Sequence, residues 1–276
     1  MLANGVQTYP VGKNIALGTI SLPLNIYNKV ETSQLPQKLQ LQVAVGDNTN
    51  EWNFWVYPSK VDMPKVDGNK QVAKNIYICD SLDAKALAVL KKGGKVLIQA
   101  AGRVTYGSDV KQTYLPVFWN TSWFKMRPPH TTGSYIDASH PVFANCPTDD
   151  WQNLNWWELV NRAQVMNLAE FPADYQSPFQ PIDTWHVSRK LGMIAEANVL
   201  GGKLLITTFD ISSRLDSRLV ARQLRKSILD YMLSDSFAPS ITIEPSVITD
   251  LFTKHAPAVN MFTNESPDEL KPKIVR

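Results

Sequence analysis

The chain has 276 residues, 28 basic against 25 acidic side chains for a formal net charge of +3, and a hydrophobic fraction of 44%. That balance belongs to a globular protein with enough apolar side chains to bury a core, in one large domain or two ordinary ones. It argues against nucleic acid as a partner, because binding a phosphate backbone needs clustered positive charge. It also argues against a membrane, since no apolar run approaches the roughly 20 residues that cross a bilayer.

Strands come first in the chain. Ile15 and Leu17, then Ile20, Leu22 and Leu24, suggest short ones, with Pro23 favouring an edge. Leu39, Leu41, Val43 and Val45 alternate with Gln40, Gln42 and Ala44, the period of two that turns one face to a core. A polar turn at 46–50 follows, and then Trp52, Phe54 and Val56 alternate with Asn53, Trp55 and Tyr57. About four strands are fewer than the seven or so of a closed immunoglobulin-like sandwich. Residues 1–62 are therefore expected to form a partial β-sandwich, with the chain starting inside the module. Residues 63–75, with Pro64, Gly68 and mixed charges, are expected to be a linker.

The pattern then changes. Ile76-Tyr77-Ile78-Cys79 is a short apolar run, and Asp80-Ser81 follows as the expected cap of a helix carrying Leu82, Ala86, Val89 and Leu90 on one face. Lys91 and Lys92 suit the negative end of the helix dipole, and Gly93-Gly94 stops it. Val96-Leu97-Ile98 is the next strand, so 76–98 reads as a parallel βαβ unit with a right-handed crossover.

The stretch from Tyr106 to Pro181 is irregular and rich in Trp, Pro, Asn and Thr, with a helix expected over 149–163. Leu191–Asn198 and Leu204–Phe209 read as a strand pair across Gly201-Gly202. A helix is expected from about Asp216 to Ser234, with Val220, Leu224, Ile228 and Tyr231 as its buried stripe and Arg218, Arg222 and Arg225 along a solvated face. The domain would thus span 76–236. Residues 237–276 read as an extended tail broken by prolines, in which Val247, Ile248, Leu251 and Phe252 after Ser246 hint at one short helix.

A specific resemblance rests on an ordered series of segments. It begins with Glu-Trp-Asn-Phe-Trp-Val-Tyr-Pro at 51–58, then Gly93–Ile98 and Leu115–Asn120. It is strongest from His140-Pro141-Val142-Phe143 through Pro147-Thr148-Asp149 to Trp151-Gln152. It returns at Lys190–Ala197, Gly202–Leu205 and Ala221–Ser227. Together these resemble the carboxy-terminal region of bacterial glycoside hydrolases of the β-galactosidase class (family 2). The resemblance implies an α/β fold. A small immunoglobulin-like β-sandwich piece would precede a flavodoxin-like parallel sheet akin to class I glutamine amidotransferases. It also implies a catalytic barrel elsewhere in the parent enzyme as partner. If the parent is exported, the compartment would be periplasmic or extracellular, although Met1–Pro10 shows neither the basic nor the apolar region of an export signal.

The residues themselves suggest that the chemistry has gone. An amidotransferase nucleophile needs small neighbours at a strained strand-to-helix elbow. Cys79 lies between Ile78 and Asp80, and Cys146 precedes Pro147. Two cysteines are too few for a disulfide framework or zinc site, His130, His140, His186 and His255 lack metal-ligand spacing, and no cofactor is expected. Asp149, Asp150 and Glu158 could be cast as an acid/base pair, but helix capping is the expected role of the two aspartates.

Six tryptophans, Trp119, Trp123, Trp151, Trp156, Trp157 and Trp185, cluster in or beside the irregular middle. Indole rings stack on the C–H faces of sugars and also fill cores, where they add one polar handle; packing is the expected use. The preferred expectation is a non-catalytic accessory role in polysaccharide breakdown. The alternatives are a carbohydrate-binding module that uses the Trp cluster and a small enzyme working at the Cys79-Asp80 strand end.

Overall fold

The computed structural model describes residues 4–8, 11–16, 19, 21, 36–64, 72–73, 76–110, 112, 131–184 and 187–257. Strands expected around Leu17, Ile20, Leu22 and Leu24 lie largely outside these residues, as do Trp119, Trp123, Trp185, His130 and His186.

Two strands, β1 (Gln37–Val45) and β2 (Asn48–Val56), form an antiparallel hairpin around Gly46. Leu39 pairs with Phe54 and Leu41 with Trp52, so the apolar residues of both strands share one face, as the alternation requires. The opposite face is polar apart from Ala44 and Trp55, and Gln40 and Gln42 both donate to Glu51. Leu41, Val43, Val45, Trp52 and Phe54 are all at least 40% exposed, so the apolar face is largely open. The base of the hairpin is tied to the rest of the chain by an ion pair from Lys38 to Asp149 and by a hydrogen bond from the Tyr57 hydroxyl to Asn155 at 2.6 Å.

The larger unit is mixed α/β. Among the described residues its main sheet has seven strands in the order β3 (Val72–Ala73), β4 (Ile76–Cys79), β5 (Lys95–Gln99), β11 (Gly202–Thr207), β10 (Ile194–Val199), β8 (Phe179–Ile182) and β6 (Gly133–Ile136). Only β4, β5 and β11 run parallel; every other pairing is antiparallel. The expected parallel sheet is therefore corrected to a mixed one, in which the strand pair expected across Gly201-Gly202 is present as an antiparallel hairpin. The cause is local. β10 and β11 are joined by the two-residue turn Leu200-Gly201, both at positive φ (54° and 85°), which is hairpin geometry and forces the strands to run oppositely. A separate short pair joins β7 (Met166–Asn167) to β9 (Leu191–Gly192).

The βαβ unit over 76–98 is present: Ile76 pairs with Lys95 and Cys79 with Ile98 in parallel, around helix α1 (Ala84–Lys91). Its cap is Asp83, which accepts from the Ala86 amide at 2.6 Å, in place of the expected Asp80-Ser81. The stop at Gly93-Gly94 is a Schellman motif. Gly93 lies at φ 76° and donates to Leu90, and Gly94 donates to Val89.

Both faces of the central strands are covered. Val96, Ile98, Leu204 and Ile206 pack with Ala86 and Leu90 of α1 and with Ile248 and Leu251 of helix α4 (Pro245–Thr253). Leu97 and Leu205 point the other way, to Leu224, Ile228 and Met232 of helix α3 (Leu219–Leu233) and to Val142, Phe143 and Trp156. The helix expected over 149–163 is two short pieces, a 3₁₀ turn at Leu154–Trp156 capped by Asn153 and helix α2 (Trp157–Arg162). Asp149 is no cap; it accepts from Lys38 and Asn153. The short helix hinted at in the tail is α4, entered through Pro245 at its first turn, and Phe237 and Ile243 ahead of it are buried.

The arginine stripe of α3 is expected to be solvated and paired with neighbouring carboxylates; the pairing holds for Arg218, and the exposure is corrected. Arg218 is buried and held by Glu158, Asp210 and the Ser213 carbonyl; Arg222 donates to Pro58 and Arg225 to Ile211. Although partial burial alone would raise it, hydrogen bonds from Ser213 and Ser212 and the charge of Arg218 pull the Asp210 carboxyl down to about 2.

Close packing of α1 on the sheet depends on Gly202. A Cβ there would lie 2.6 Å from the Gly94 carbonyl and 2.7 Å from the Leu90 backbone. Gly202→Ala is expected to destabilise the chain by about 1–3 kcal/mol through overpacking against backbone that has little room to move. Urea unfolding checks this, and an unchanged midpoint would show that α1 can lift away freely.

Candidate functional site

Among the described residues, two concave regions beside the sheet stand out. The first lies at the carboxyl ends of β4 and β5, where open α/β sheets place ligands. It is a cleft of about 620 Å³ lined by Tyr77, Cys79, Asp80, Asp83, Gln99 and Arg103, among others. Arg103 meets Asp80 at 2.6 Å, the Tyr77 hydroxyl donates to Asp83 at 2.8 Å, and the Lys85 ammonium lies 4.6 Å from the centre of the Tyr77 ring. The Cys79 thiol points at the Leu97 carbonyl, 3.9 Å away. Burial, followed by the nearby charge of Asp83, pushes it up to about 12, so it stays a thiol at neutral pH. Cys146 is fully buried and also pushed up to about 12 by burial.

The second region is smaller and was not singled out from the sequence. It sits at a gap in the sheet. Along its outer edge β10 pairs with β8 only at Ile194, opposite Phe179; further on, the 241–243 segment exchanges backbone hydrogen bonds with Asn198. Between these points the Glu196 amide donates to the Tyr175 hydroxyl at 2.9 Å. The gap opens as a cavity of about 270 Å³ lined by His140, Asp174, Tyr175, Glu196 and Ser240, among others.

Glu196 is buried, and the donor that the structure gives its carboxylate is the Tyr231 hydroxyl of α3, 2.9 and 3.1 Å from the two oxygens. His140 accepts the Val142 amide at Nδ1, so the neutral ring carries its hydrogen on Nε2. That nitrogen lies 3.9 Å from Glu196 Oε1, beyond hydrogen-bond reach. Burial pushes the Glu196 carboxyl up to about 7 against the lowering effects of Tyr231 and Lys203, and burial lowers His140. A carboxyl half-ionised near neutrality beside a cavity is the kind of perturbed group that marks functional sites.

The residues named from sequence fall in different places. Trp156 cannot stack on a ligand, which corrects its inclusion among the sugar-binding candidates. It is wholly buried against Phe143, Phe179 and Phe209, and its Nε1 donates to Thr148. Trp151 and Trp157 are 59% and 53% exposed. Trp151 is bridged across strands to Tyr135, itself 47% exposed, which puts two aromatic side chains next to each other on the sheet edge. Glu158 holds Arg218 at 2.8 Å and Arg162 at 3.7 Å and so anchors α3. His255 is exposed, and among the described residues no group of three metal-binding side chains forms.

Comparison with family models gives two matches. The model described as Domain of unknown function (DUF8487) matches residues 77–253, well over half of the chain. The chain belongs to that family. A second model, Domain of unknown function (DUF8488), matches residues 3–58, the segment that ends with the β1–β2 hairpin. No curated protein matches the chain.

The Glu196 carboxyl has a consequence for stability. Its folded value near 7 lies above the ordinary 4.5, so between these values the folded chain keeps a proton that the unfolded chain has released. The associated stability is present below about pH 4.5 and lost as pH rises to about 7, by up to about 3 kcal/mol. Glu196→Gln removes this slope, while the lowered His140 contributes equally to both proteins. Urea melts of variant and wild type at pH 5 and pH 8 should show the variant gaining by about 1–3 kcal/mol at the higher pH; a pH-independent difference would show that Glu196 titrates normally.

Proposed function

We propose that the chain is a non-catalytic accessory region of a β-galactosidase-like glycoside hydrolase. In it an immunoglobulin-like sandwich piece precedes a flavodoxin-like domain related to class I amidotransferases. Its partner is the catalytic barrel of the parent enzyme, which it packs against or whose substrate entrance it shapes. The observation that carries this proposal is the state of the strand-end cleft. Its one thiol is held protonated, it has no glycine beside it, and Arg103 in its lining is taken up by pairing with Asp80. Acyl transfer at such a place needs an activated nucleophile with a base in reach. The ordered segments that resemble the β-galactosidase class supply the family context.

A second reading, a carbohydrate-binding module, is favoured by the exposed Trp151–Tyr135 pair and by Trp157. Flat aromatic faces at a sheet edge suit the C–H faces of a sugar ring.

The purified chain is expected to give no turnover above buffer on nitrophenyl glycosides, oligosaccharides or glutamine. Turnover abolished by Cys79→Ala or Glu158→Gln would overturn the accessory role. Quenching of tryptophan fluorescence by an oligosaccharide, without product and lost in Trp151→Ala, would establish the binding-module reading instead.

A further inference from the structure

The cavity at the gap in the sheet holds a group whose partner is incomplete. A buried carboxylate is ordinarily matched by a cation or by several hydrogen-bond donors, because removing the charge from water otherwise costs several kcal/mol. Glu196 has four acceptor sites, and one Tyr231 hydroxyl hydrogen can occupy only one of them at a time. Among the described residues, its neighbours do not complete the set. His140 Nε2 stands at 3.9 Å, and the Lys203 ammonium, whose charge reaches Glu196, donates to the Phe237 carbonyl at 2.6 Å. The Tyr175 hydroxyl accepts the Glu196 amide and keeps its own hydrogen for another acceptor.

We propose that this cavity binds a small organic ammonium ligand, whose cationic head group donates to Glu196 and lies among the side chains of His140, Tyr175 and Asp174. A primary ammonium carries three donors and no acceptor, which matches a carboxylate with vacant lone pairs. Asp174 adds a second carboxylate to the lining, but the Lys190 ammonium already feels its charge and lies 5.9 Å from the centre of the Tyr175 ring, so Glu196 is the group left to match a ligand cation. The volume of about 270 Å³ suits a compact molecule rather than a drug-sized one. The site lies on β10, away from the strand-end cleft, and does not depend on the glycosidase reading.

The groups that face Glu196 are His140 before the 3₁₀ turn at Pro141–Phe143, Tyr231 on α3, Tyr175 in the loop before β8, and Lys203 on β11. Burial lowers the His140 imidazole from its ordinary 6.5, so it is neutral above that value. The ammonium should therefore bind the ionised carboxylate, and affinity should rise about tenfold from pH 6 to pH 8 as the competent fraction grows.

The experiment titrates the full chain, labelled with carbon-13, with n-butylammonium chloride while following the Glu196 side-chain carboxyl resonance. n-Butanol and potassium chloride serve as matched probes for shape and ionic strength. The expected result is a saturable shift with butylammonium alone, a fall of about one unit or more in the Glu196 pKa when it is bound, and the stated rise in affinity with pH. Glu196→Gln should weaken binding at least about tenfold. No saturable shift up to about 50 mM butylammonium, or equal binding of butanol, would overturn the proposal. The wild-type arms decide the matter even if the variant fails to fold.

Discussion

The arrangement depends on burying both faces of β5 and β11. Val96, Leu97, Ile98, Leu204, Leu205 and Ile206 are all fully buried, alternate residues facing opposite layers. A strand that is apolar on both sides needs cover on both sides. α1 and α4 supply one layer, and α3 with the turns around Phe143 and Trp156 supplies the other. Gly202 lets α1 approach closely enough for the first layer to close. The buried Arg218, gripped by Glu158 and Asp210, fixes the start of α3 for the second.

Once those layers are closed, two concave settings stand out beside the sheet among the described residues. One is the strand-end cleft, where the short β4 stops and Asp80, Asp83 and Arg103 form their own contacts. The other arises because the sheet does not continue evenly beyond β10. β8 leaves it after Ile194, and the 241–243 segment rejoins only at Asn198. Glu196 is stranded in that interval, buried enough for its ionisation to be displaced and near enough to a cavity for that displacement to matter.

Periodicity carried much of this. The alternation in 39–45 and 52–56 gave the hairpin register, and Ile76–Ile98 gave the parallel unit with its Gly93-Gly94 stop. The stripe of Leu224, Ile228 and Tyr231 gave the buried face of α3. Long-range partners were not legible. Arg218, Arg222 and Arg225 share a helical face that looks solvated in one dimension, yet all three reach residues distant in sequence or in neighbouring loops. Glu196 sits in the run Ile194-Ala195-Glu196-Ala197, where its setting among apolar residues was the one local signal that it would be buried. Its relation to His140 and Tyr231 spans 56 and 35 positions, and no local pattern encodes that. Trp156 and Trp157 are adjacent, and only the helix phase sends one into the core and the other to the surface.

The central claim is that the strand-end cleft, placed where this architecture puts chemistry, is chemically silent. The most direct measurement is the rate of iodoacetamide alkylation at Cys79 as a function of pH, read by mass spectrometry of the peptide that contains it. With the thiol held near 12, the rate should be low at neutral pH and still climbing, without a plateau, at about pH 9. A plateau reached below about pH 8 would reveal a stabilised thiolate and contradict the account.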